Sequence, residues 1–296
     1  MTVEVSRAPS IARRLFDRLE PVHAVTYFAP EARAALDDLG YRGFWMGYFA
    51  ARSAPLGPVS PEVVTAVFYN FAPARVAKAL SAAWEIAAPA TVLQIRQESA
   101  TAALRRYGCT DPDRVATAAS LLSRAARQAP MEGRPLFAAN LALAWPQDPL
   151  SQLWHATTLI REHRGDGHVA VLAALGISGR QSNVLHAAAD RVPREMIMRS
   201  RDYDEQQWQH HVDELADRGL LDSSGTLTAA GAQLKAEIEE RTDRLALAAF
   251  DALDDTELDA LFAALTPLTR LVVAAGDVPA ATPMGLDRGD LDNDRL

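Results

Sequence analysis

Apolar residues recur at helical spacing along most of the chain, in alanine-rich segments separated by proline and glycine. This pattern predicts a mostly α-helical fold. Proline opens several of the predicted helices, because its missing N–H donor costs no hydrogen bond in the first turn. Before residue 145 the predicted helices cover 31–39, 43–52, 62–71, 74–86, 90–107 and 112–129. Together they predict an N-terminal helical domain at residues 1–145.

The second half of the chain begins with a long predicted helix at 150–163. Two glycines follow in Arg164-Gly-Asp-Gly167, and they predict the end of this helix because glycine is unfavourable in a helix interior. A helix, a short strand, a Ser-Gly turn and a return strand come later, and Thr228 is placed to cap the next helix. The predicted helices of this half are 168–175, 180–189, 195–199, 204–218, 228–253 and 256–275, and the predicted strands are 219–222 and 226–228.

The order of these later elements is that of a winged helix. Residues 168–275 resemble a MarR-type winged-helix domain in Val212-Asp-Glu-Leu-Ala-Asp-Arg-Gly-Leu-Leu-Asp222, Gly225-Thr-Leu-Thr-Ala-Ala-Gly231 and Glu239-Glu-Arg-Thr-Asp243. The whole chain is similar to an actinobacterial family of helix-turn-helix proteins of unassigned function. The phrases that carry this similarity are Glu20-Pro-Val-His-Ala-Val-Thr-Tyr-Phe28, Tyr48-Phe-Ala-Ala-Arg-Ser-Ala-Pro-Leu-Gly57 and Leu153-Trp-His-Ala-Thr-Thr-Leu-Ile-Arg-Glu-His-Arg-Gly-Asp-Gly-His168.

The resemblance implies a winged-helix domain at 146–275 that ends in a long pair of C-terminal helices. In MarR-like proteins such helices form the dimer interface, so the resemblance implies a homodimer through residues 228–275. The alternative is that these helices pack on their own N-terminal bundle. The acidic tail at 276–296 is predicted to be disordered.

Composition narrows the class of protein. The chain has 296 residues, with 30 Lys and Arg against 38 Asp and Glu, and its formal net charge is −8. This balance disfavours a protein that binds nucleic acid mainly through phosphates. The single cysteine, Cys109, fits a reducing compartment. The sequence contains no run of 18 or more apolar residues, which a membrane span would require. The sequence therefore predicts a cytoplasmic protein with no membrane association.

The predicted recognition helix is itself acidic. In a helix-turn-helix protein the second helix of the motif lies in the major groove of DNA. Residues 202–218 occupy that position and hold six acidic residues against one basic residue, Arg218. Repulsion from the phosphates disfavours DNA binding by this helix.

Polar residues are concentrated between 155 and 168. On a helix that continues through this segment, His155, Glu162 and Asp166 would share one face. One histidine and two carboxylates are half of a metal site, and His23 is the candidate second histidine, so His23 and His155 are the predicted metal ligands. A metal or a haem is the cofactor that this cluster would imply, although no His-Glu-x-x-His motif is present.

Two other interpretations of the cluster stay open. In one, the charged residues form a buried salt-bridge and capping network, and His155 is a hydrogen-bonded core histidine. In the other, the arginines hold an organic anion in a pocket between the two domains. The predicted ligand-binding residues are Arg52, Tyr69, Arg161, Arg164, Asp166 and His168.

These features favour a small-molecule-binding or catalytic protein whose winged helix has lost DNA recognition. If it is an enzyme, the predicted catalytic residues are His155, Glu162 and His163, with a histidine as the acid–base group. The sequence does not decide whether it is an enzyme. The alternatives are a ligand-responsive MarR-like transcriptional regulator, with the same pocket as its sensor, and an interaction scaffold without a ligand.

Overall fold

The computed structural model describes residues 7–280, 282 and 291–293. Helices dominate these residues, which confirms the predicted mostly α-helical fold class. They are α1 (Ser10–Phe28), α2 (Pro30–Asp38), α3 (Gly43–Ser53), α4 (Pro61–Phe68), α5 (Pro73–Leu80), α6 (Ala83–Ile86), α7 (Pro89–Arg106), α8 (Pro112–Gln128), α9 (Pro135–Leu141), α10 (Pro149–Ala174), α11 (Gly179–Ala188), α12 (Arg194–Arg201), α13 (Glu205–Asp217), α14 (Ala229–Leu247) and α15 (Asp255–Ala275), with short 3-10 helices at Ala54–Leu56 and Ala248–Phe250.

Local sequence signals fix where many of these helices begin. Proline stands in the first turn of α2, α4, α5, α7 and α8, as the sequence predicts. It also opens α10 and the short α9, a helix that the sequence analysis did not predict. The Thr228 hydroxyl accepts a hydrogen bond from the Gly231 N–H at 3.1 Å, which confirms the predicted cap of α14. Asp254 and Glu257 form a reciprocal capping box at the start of α15.

Helix α10 continues through the segment where the sequence predicts a break. It passes Gly165 and Gly167 without interruption, so the predicted end at 164–167 is wrong. A Cβ atom at Gly167 would lie 2.6 Å from Nη1 of Arg134, whose guanidinium also donates to the carbonyl of His163. Glycine at 167 therefore lets another side chain approach the helix backbone, and tertiary packing outweighs the low helix propensity of glycine.

Three hydrophobic cores hold the helices together. The largest joins apolar residues of α1, α7, α8, α10 and α15, so it takes side chains from both sides of the predicted boundary at residue 145. A second core lies among α2 to α7. A third packs the end of α10 against α11 to α14. The division into domains at 1–145 and 146–275 stays a prediction, and α10 connects the largest core to the third.

The segment after α13 forms a turn rather than a hairpin of strands. No strand occurs in the residues that the structure describes, so the predicted strands at 219–222 and 226–228 are wrong. One antiparallel bridge joins Leu221 to Leu227. The Asp222 carboxylate closes the turn by accepting from the N–H groups of Ser224 at 2.8 Å and Thr226 at 3.1 Å. Backbone bonds from the Asp222 N–H to the Thr226 carbonyl at 2.9 Å and from the Thr228 N–H to the Leu220 carbonyl at 3.1 Å form the bridge, and the side-chain bonds close the turn.

The apolar face of α15 is covered within the chain. Its leucines at 258, 261, 265 and 268 are buried in the largest core, so they do not form a free surface for a second copy. A homodimer through 228–275 stays a prediction and would need another surface.

Helix α15 is long and apolar enough to cross a membrane. The helix pair 73–86 and 89–106 also passes this test if the two helices, which are bent by 98°, are taken as one broken span. Half of the apolar stretch of α15 is buried, as in the core helix of a soluble protein.

Part of the predicted disordered tail at 276–296 lies outside the described residues. The described part packs on the fold: Val278, Thr282 and Leu291 are buried. Arg18 donates to the Leu291 carbonyl at 3.1 Å and to Oδ1 of Asn293 at 3.0 Å. These contacts place residues 291–293 against α1.

The start of α11 lies directly on the turn that follows α4. Tyr69 in that turn has a positive φ of 58°, and its hydroxyl donates to the Ile177 carbonyl at 2.6 Å. Asn183 of α11 donates to the Asn70 carbonyl at 2.9 Å. A Cβ atom at Gly179 would lie 1.9 Å from the carbonyl oxygen of Tyr69. Only glycine allows this approach of two backbones.

We expect Gly179→Ala to lower the free energy of unfolding by about 3 kcal/mol, because the new methyl group must push two backbone segments apart. Gly165→Ala is the matched control: it lies inside α10 with no other atom nearer than 3.5 Å to the new Cβ. There alanine should raise stability by about 0.5–1 kcal/mol. Urea unfolding of both variants measures the difference, and equal midpoints would show that the two segments do not meet as closely as described.

Candidate functional site

Four ionisable side chains, two of them from α10, form a buried ion network. Arg52 makes a two-bond contact with Glu162, Nε to Oε1 and Nη2 to Oε2, both at 3.0 Å. Arg161 donates to Oε2 of Glu162 at 2.9 Å and to Oε2 of Glu20 at 3.0 Å. The network therefore balances two arginines with two glutamates and ties α1 and α3 to α10.

The electrostatics of the network hold Glu162 in its ionised form. Burial opposes ionisation of this carboxyl, but Arg161 and Arg52 outweigh burial and lower its pKa far below the ordinary value. At Glu20 burial has the larger effect and raises the pKa, although Arg161 opposes it. Glu162 is thus the anion to which both arginines are bound.

A second ion cluster links α10 to α14. Arg164 lies 2.5 Å from Asp243 and 3.9 Å from Glu239, and Lys235 pairs with Glu239 on the same helix. The ring of His168 shares a hydrogen bond with the Thr242 hydroxyl at 2.9 Å. Arg161, Glu162 and Arg164 are therefore paired with each other or with charged residues of α1, α3 and α14, as in the salt-bridge interpretation of this segment.

A cavity of about 350 Å³ lies beside both ion clusters. It is enclosed by residues of α1, α3, α4, α10, α11, α12 and α14. One wall is aromatic and contains Phe44, Trp45, Tyr48, Phe68 and Phe71. Its volume is within the range of pockets that hold small organic molecules.

Five of the six predicted ligand-binding residues line this cavity: Arg52, Arg161, Arg164, Asp166 and His168. Tyr69 is not among the described lining residues, because its hydroxyl is directed to the Ile177 carbonyl. The neighbouring residues Phe68, Asn70 and Phe71 line the cavity in its place. Five predicted residues therefore lie on one cavity, but ion pairs already occupy the three predicted arginines, and ligand binding by these residues stays a prediction.

The histidines predicted as metal ligands or catalytic groups have separate environments. His23 shares hydrogen bonds with the hydroxyls of Thr158 and Tyr27, both at 2.9 Å, so each of its ring nitrogens has a partner. His155 packs edge-on against Trp145 with ring centres 4.9 Å apart. His163 packs in the same manner against Phe137 at 5.0 Å. None of the three histidines is among the described lining residues of the cavity.

The predicted set His155, Glu162 and Asp166 is likewise divided among different partners. Glu162 binds the two arginines, whereas the Asp166 carboxylate accepts from the Phe137 N–H at 2.9 Å, in the first turn of α9. Burial raises the pKa of Asp166 to about 7 despite this bond. A metal or haem held by His23 and His155 stays a prediction, and the contacts of these side chains do not favour it.

Three cations that the sequence analysis missed also line the cavity: Arg13, Lys235 and Arg201. Arg13 and Lys235 pair with Glu239. Arg201, the last residue of α12, is 91% buried; among the described residues its Nε atom has no hydrogen-bond partner, and its Nη1 atom donates to the Ser200 carbonyl at 3.5 Å. Among the described residues no carboxylate forms an ion pair with it; its guanidinium lies 4.1 Å from the centre of the Phe71 ring. Burial lowers its pKa to about 10, so it remains charged at neutral pH. Its sequence context, Arg-Ser-Arg-Asp, gives no sign of burial.

Helix α13 presents an acidic surface. It contains four acidic residues and no lysine or arginine, while its apolar residues Trp208, Val212 and Leu215 face the third core. The turn after it exposes Asp222, Ser223 and Ser224. That this helix is poorly suited to phosphate contact stays a prediction.

Comparison with known proteins gives one match. Residues 12–279 match the model of a family described as the Helix-turn-helix family. No curated protein and no solved structure matches the chain. The matched region includes the cavity, both ion clusters and α11 to α14.

Proposed function

This chain belongs to the Helix-turn-helix family, and we propose that it binds a small organic anion in its central cavity. The motif that gives the family its name is associated with DNA-binding proteins. The ligand we propose carries one negative group on a flat, largely apolar body. The protein is proposed to act in the cytoplasm.

Arg201 is the observation that carries this proposal. A buried guanidinium without a carboxylate partner costs folding free energy, which a bound anion can offset. Arg96 is also buried without a carboxylate partner among the described residues, but it is not among the described cavity-lining residues, whereas Arg201 is. The other cations that line the cavity do not have this free capacity. Arg52 and Arg161 bind Glu162, Arg164 binds Asp243, and Arg13 and Lys235 pair with Glu239. A single uncompensated cation favours a ligand with a single negative charge.

The aromatic wall supports the apolar part of the ligand. Phe68 and Phe71 lie with ring centres 6.2 Å apart, and Trp45 and Tyr48 each pack against Phe71 at 5.8 and 5.7 Å. Such a wall favours contact with a planar, apolar body. The guanidinium of Arg201 over Phe71 would place the negative group of the ligand beside this surface.

The winged-helix part is proposed to be a packing and ligand-binding module rather than a reader of DNA. The order of α11, α12 and α13 followed by a bridged turn supports a MarR-like arrangement. The acidic surface of α13 argues against phosphate contact by that helix. Fold membership by itself does not decide function.

A ligand-responsive regulator is the second candidate, and one observation favours it. The cavity is lined by Ser182, Asn183 and His186 of α11 and by Ser200 and Arg201 of α12. A ligand would therefore contact the helix-turn-helix segment directly, so binding could shift its position. A regulator should bind duplex DNA with an affinity that falls steeply as salt rises. The first candidate predicts no such binding in a gel-shift or fluorescence titration, with or without ligand.

The proposed pocket is tested with two fluorescent probes that share one apolar body, the anion anilinonaphthalene sulfonate and the uncharged phenylnaphthylamine. The protein should bind the anion more tightly. Arg201→Met should weaken sulfonate binding by about 10- to 100-fold, the equivalent of a hydrogen bond to a charged group, and leave the uncharged probe unaffected. Because the substitution removes an uncompensated buried charge, the stability of the ligand-free protein should stay equal or rise.

Arg199→Met is the matched control for this experiment. Arg199 is exposed and lies on the same helix two residues before Arg201, so the variant loses the same charge without changing the cavity. It should bind both probes as the unmodified protein does. If neither probe binds the unmodified protein, or if Arg201→Met leaves the preference for the anion intact, the proposed anion pocket is wrong.

A further inference from the structure

A separate group of potential ligand atoms lies on α13, outside the cavity. His210, His211 and Glu214 offer ring nitrogens and a carboxylate oxygen that all lie within 4.8 Å of one another. We propose that these three side chains bind a Zn²⁺ ion. This site does not depend on the proposed anion pocket, since none of the three residues is among the described cavity-lining residues.

The ligand atoms are already close to the spacing that zinc requires. Nδ1 of His211 lies 2.8 Å from Oε2 of Glu214, and Nε2 of His210 lies 3.3 Å from Oε1 of the same carboxylate. In a tetrahedral zinc site with bonds near 2.1 Å, neighbouring ligand atoms are about 3.4 Å apart. The two imidazole nitrogens lie within 4.8 Å of each other, so side-chain rotation, mainly of the largely exposed His210, must adjust this distance to admit the ion. Zinc would then replace the direct contacts between the rings and the carboxylate.

The helix and its neighbours hold two of the three ligands in place. Glu214 follows His210 by four residues and His211 by three, so both rings lie on the same side of α13 as the carboxylate. Gln181 of α11 donates to Oε2 of Glu214 at 3.1 Å. The ring of His211 packs edge-on against Tyr203 with centres 6.1 Å apart. Such outer contacts orient metal ligands and raise affinity.

The donor types select the class of metal. Two imidazoles and one carboxylate suit Zn²⁺, whereas Mg²⁺ and Ca²⁺ prefer oxygen donors throughout. Three protein ligands leave the fourth position of a tetrahedral ion to water. Helix α13 also carries Glu205, Asp213 and Asp217 and has no lysine or arginine. Its surface charge therefore attracts a divalent cation.

The test is a calorimetric titration of the untagged, full-length protein with zinc chloride, and of variants at two adjacent carboxylates. We expect one saturable site per chain. Glu214→Gln should weaken zinc binding by at least about 10-fold, the minimum effect expected for loss of a metal ligand. Asp213→Asn is the matched control, because it removes the neighbouring exposed charge without removing a ligand atom, and should weaken binding only about 2-fold.

Two further measurements separate the site from general attraction of cations. His210→Ala changes a largely exposed side chain, so the variant should fold normally and lose affinity as Glu214→Gln does. Cobalt(II) in place of zinc should give the intense visible absorption of a four-coordinate ion, and this signal should be absent in His210→Ala. An unsaturable titration, equal losses in the two carboxylate variants, or the weak spectrum of a six-coordinate aquo ion would each overturn the proposal.

Discussion

Lowering the pH from 7 to 4 is expected to destabilise the folded protein by several kcal/mol, because buried histidines must stay neutral in it. Burial, with Arg96 and Arg127 adding to it, lowers the pKa of His155 to about 4. Burial and Arg134 lower the pKa of His163 to about 3. Burial also lowers the pKa of His168 to about 4 and that of His186 to about 3.

The direction of this pH dependence follows from the pH at which the folded and the unfolded protein bind protons. In the unfolded chain a histidine becomes protonated near its ordinary pKa of 6.5, whereas the folded protein keeps these rings neutral until about pH 4. Between these values the unfolded chain holds more protons, so the free energy of unfolding falls as the pH falls. For a fully buried ring such as His155 this gap corresponds to roughly 3 kcal/mol.

Buried carboxyls oppose the histidines but do not cancel them. Burial raises the pKa of Asp166 to about 7, so the folded protein binds a proton there at a pH where the unfolded chain does not. The raised pKa of Glu20, also due to burial, acts in the same direction. Burial raises the pKa of Asp243 in the same way, but it also lowers the pKa of a fifth histidine, His23. Five histidines against three carboxyls leave a net loss of stability on acidification from pH 6.5 to 4.

Urea unfolding at pH 7, 6, 5 and 4.5 measures this slope, and His163→Leu isolates one contributor. His163 is fully buried, and among the described residues neither ring nitrogen has a hydrogen bond of normal geometry, although a contact with the Pro130 backbone partly opposes the lowering of its pKa. An apolar side chain of similar volume should leave stability at pH 7 equal or higher and reduce the acid-dependent loss by about 3 kcal/mol. An unchanged slope in this variant would show that His163 is not held neutral by its burial.

Glu162→Gln is expected to lower the free energy of unfolding by about 3–5 kcal/mol, the usual effect of breaking a buried ion pair by removing one partner. Glu162 is 2% exposed and accepts from both Arg52 and Arg161. The glutamine side chain has no negative charge for the two guanidinium groups. Its NH2 group is a hydrogen-bond donor and would face their N–H donors. One glutamate, Glu20, would remain for two buried arginines.

A double-mutant cycle shows whether the loss comes from charge imbalance. Arg52→Met combined with Glu162→Gln leaves Arg161 and Glu20 as a balanced pair, so the double variant should be more stable than Glu162→Gln alone by at least about 1 kcal/mol. Glu132→Gln, the same substitution at an exposed site, should change stability by less than about 0.5 kcal/mol. A loss under about 1 kcal/mol for Glu162→Gln, the range of exposed ion pairs, would contradict the buried network.

Helix α10 begins where the local sequence pattern predicts but continues past the predicted end. Apolar spacing and the preceding proline correctly predicted a helix from about residue 150. Glycine propensity predicted an end at 164–167, but helix propensity is a small term beside packing, and Arg134 fills the space that the missing side chain of Gly167 leaves. The predicted strands at 219–222 and 226–228 are too short to form more than one bridge, between Leu221 and Leu227, and side-chain bonds from Asp222 close the turn.

The sequence by itself determined the mostly helical fold, the start of many helices and the inward concentration of polar residues between 155 and 168, because caps, prolines and periodicity act within a few residues. Only the tertiary structure decided which of those polar groups are already paired. Glu20 and Arg52 reach α10 from distant segments and occupy Arg161 and Glu162, whereas Arg201 has no such partner. Ion pairing depends on distances between residues far apart in the chain, which no local pattern encodes.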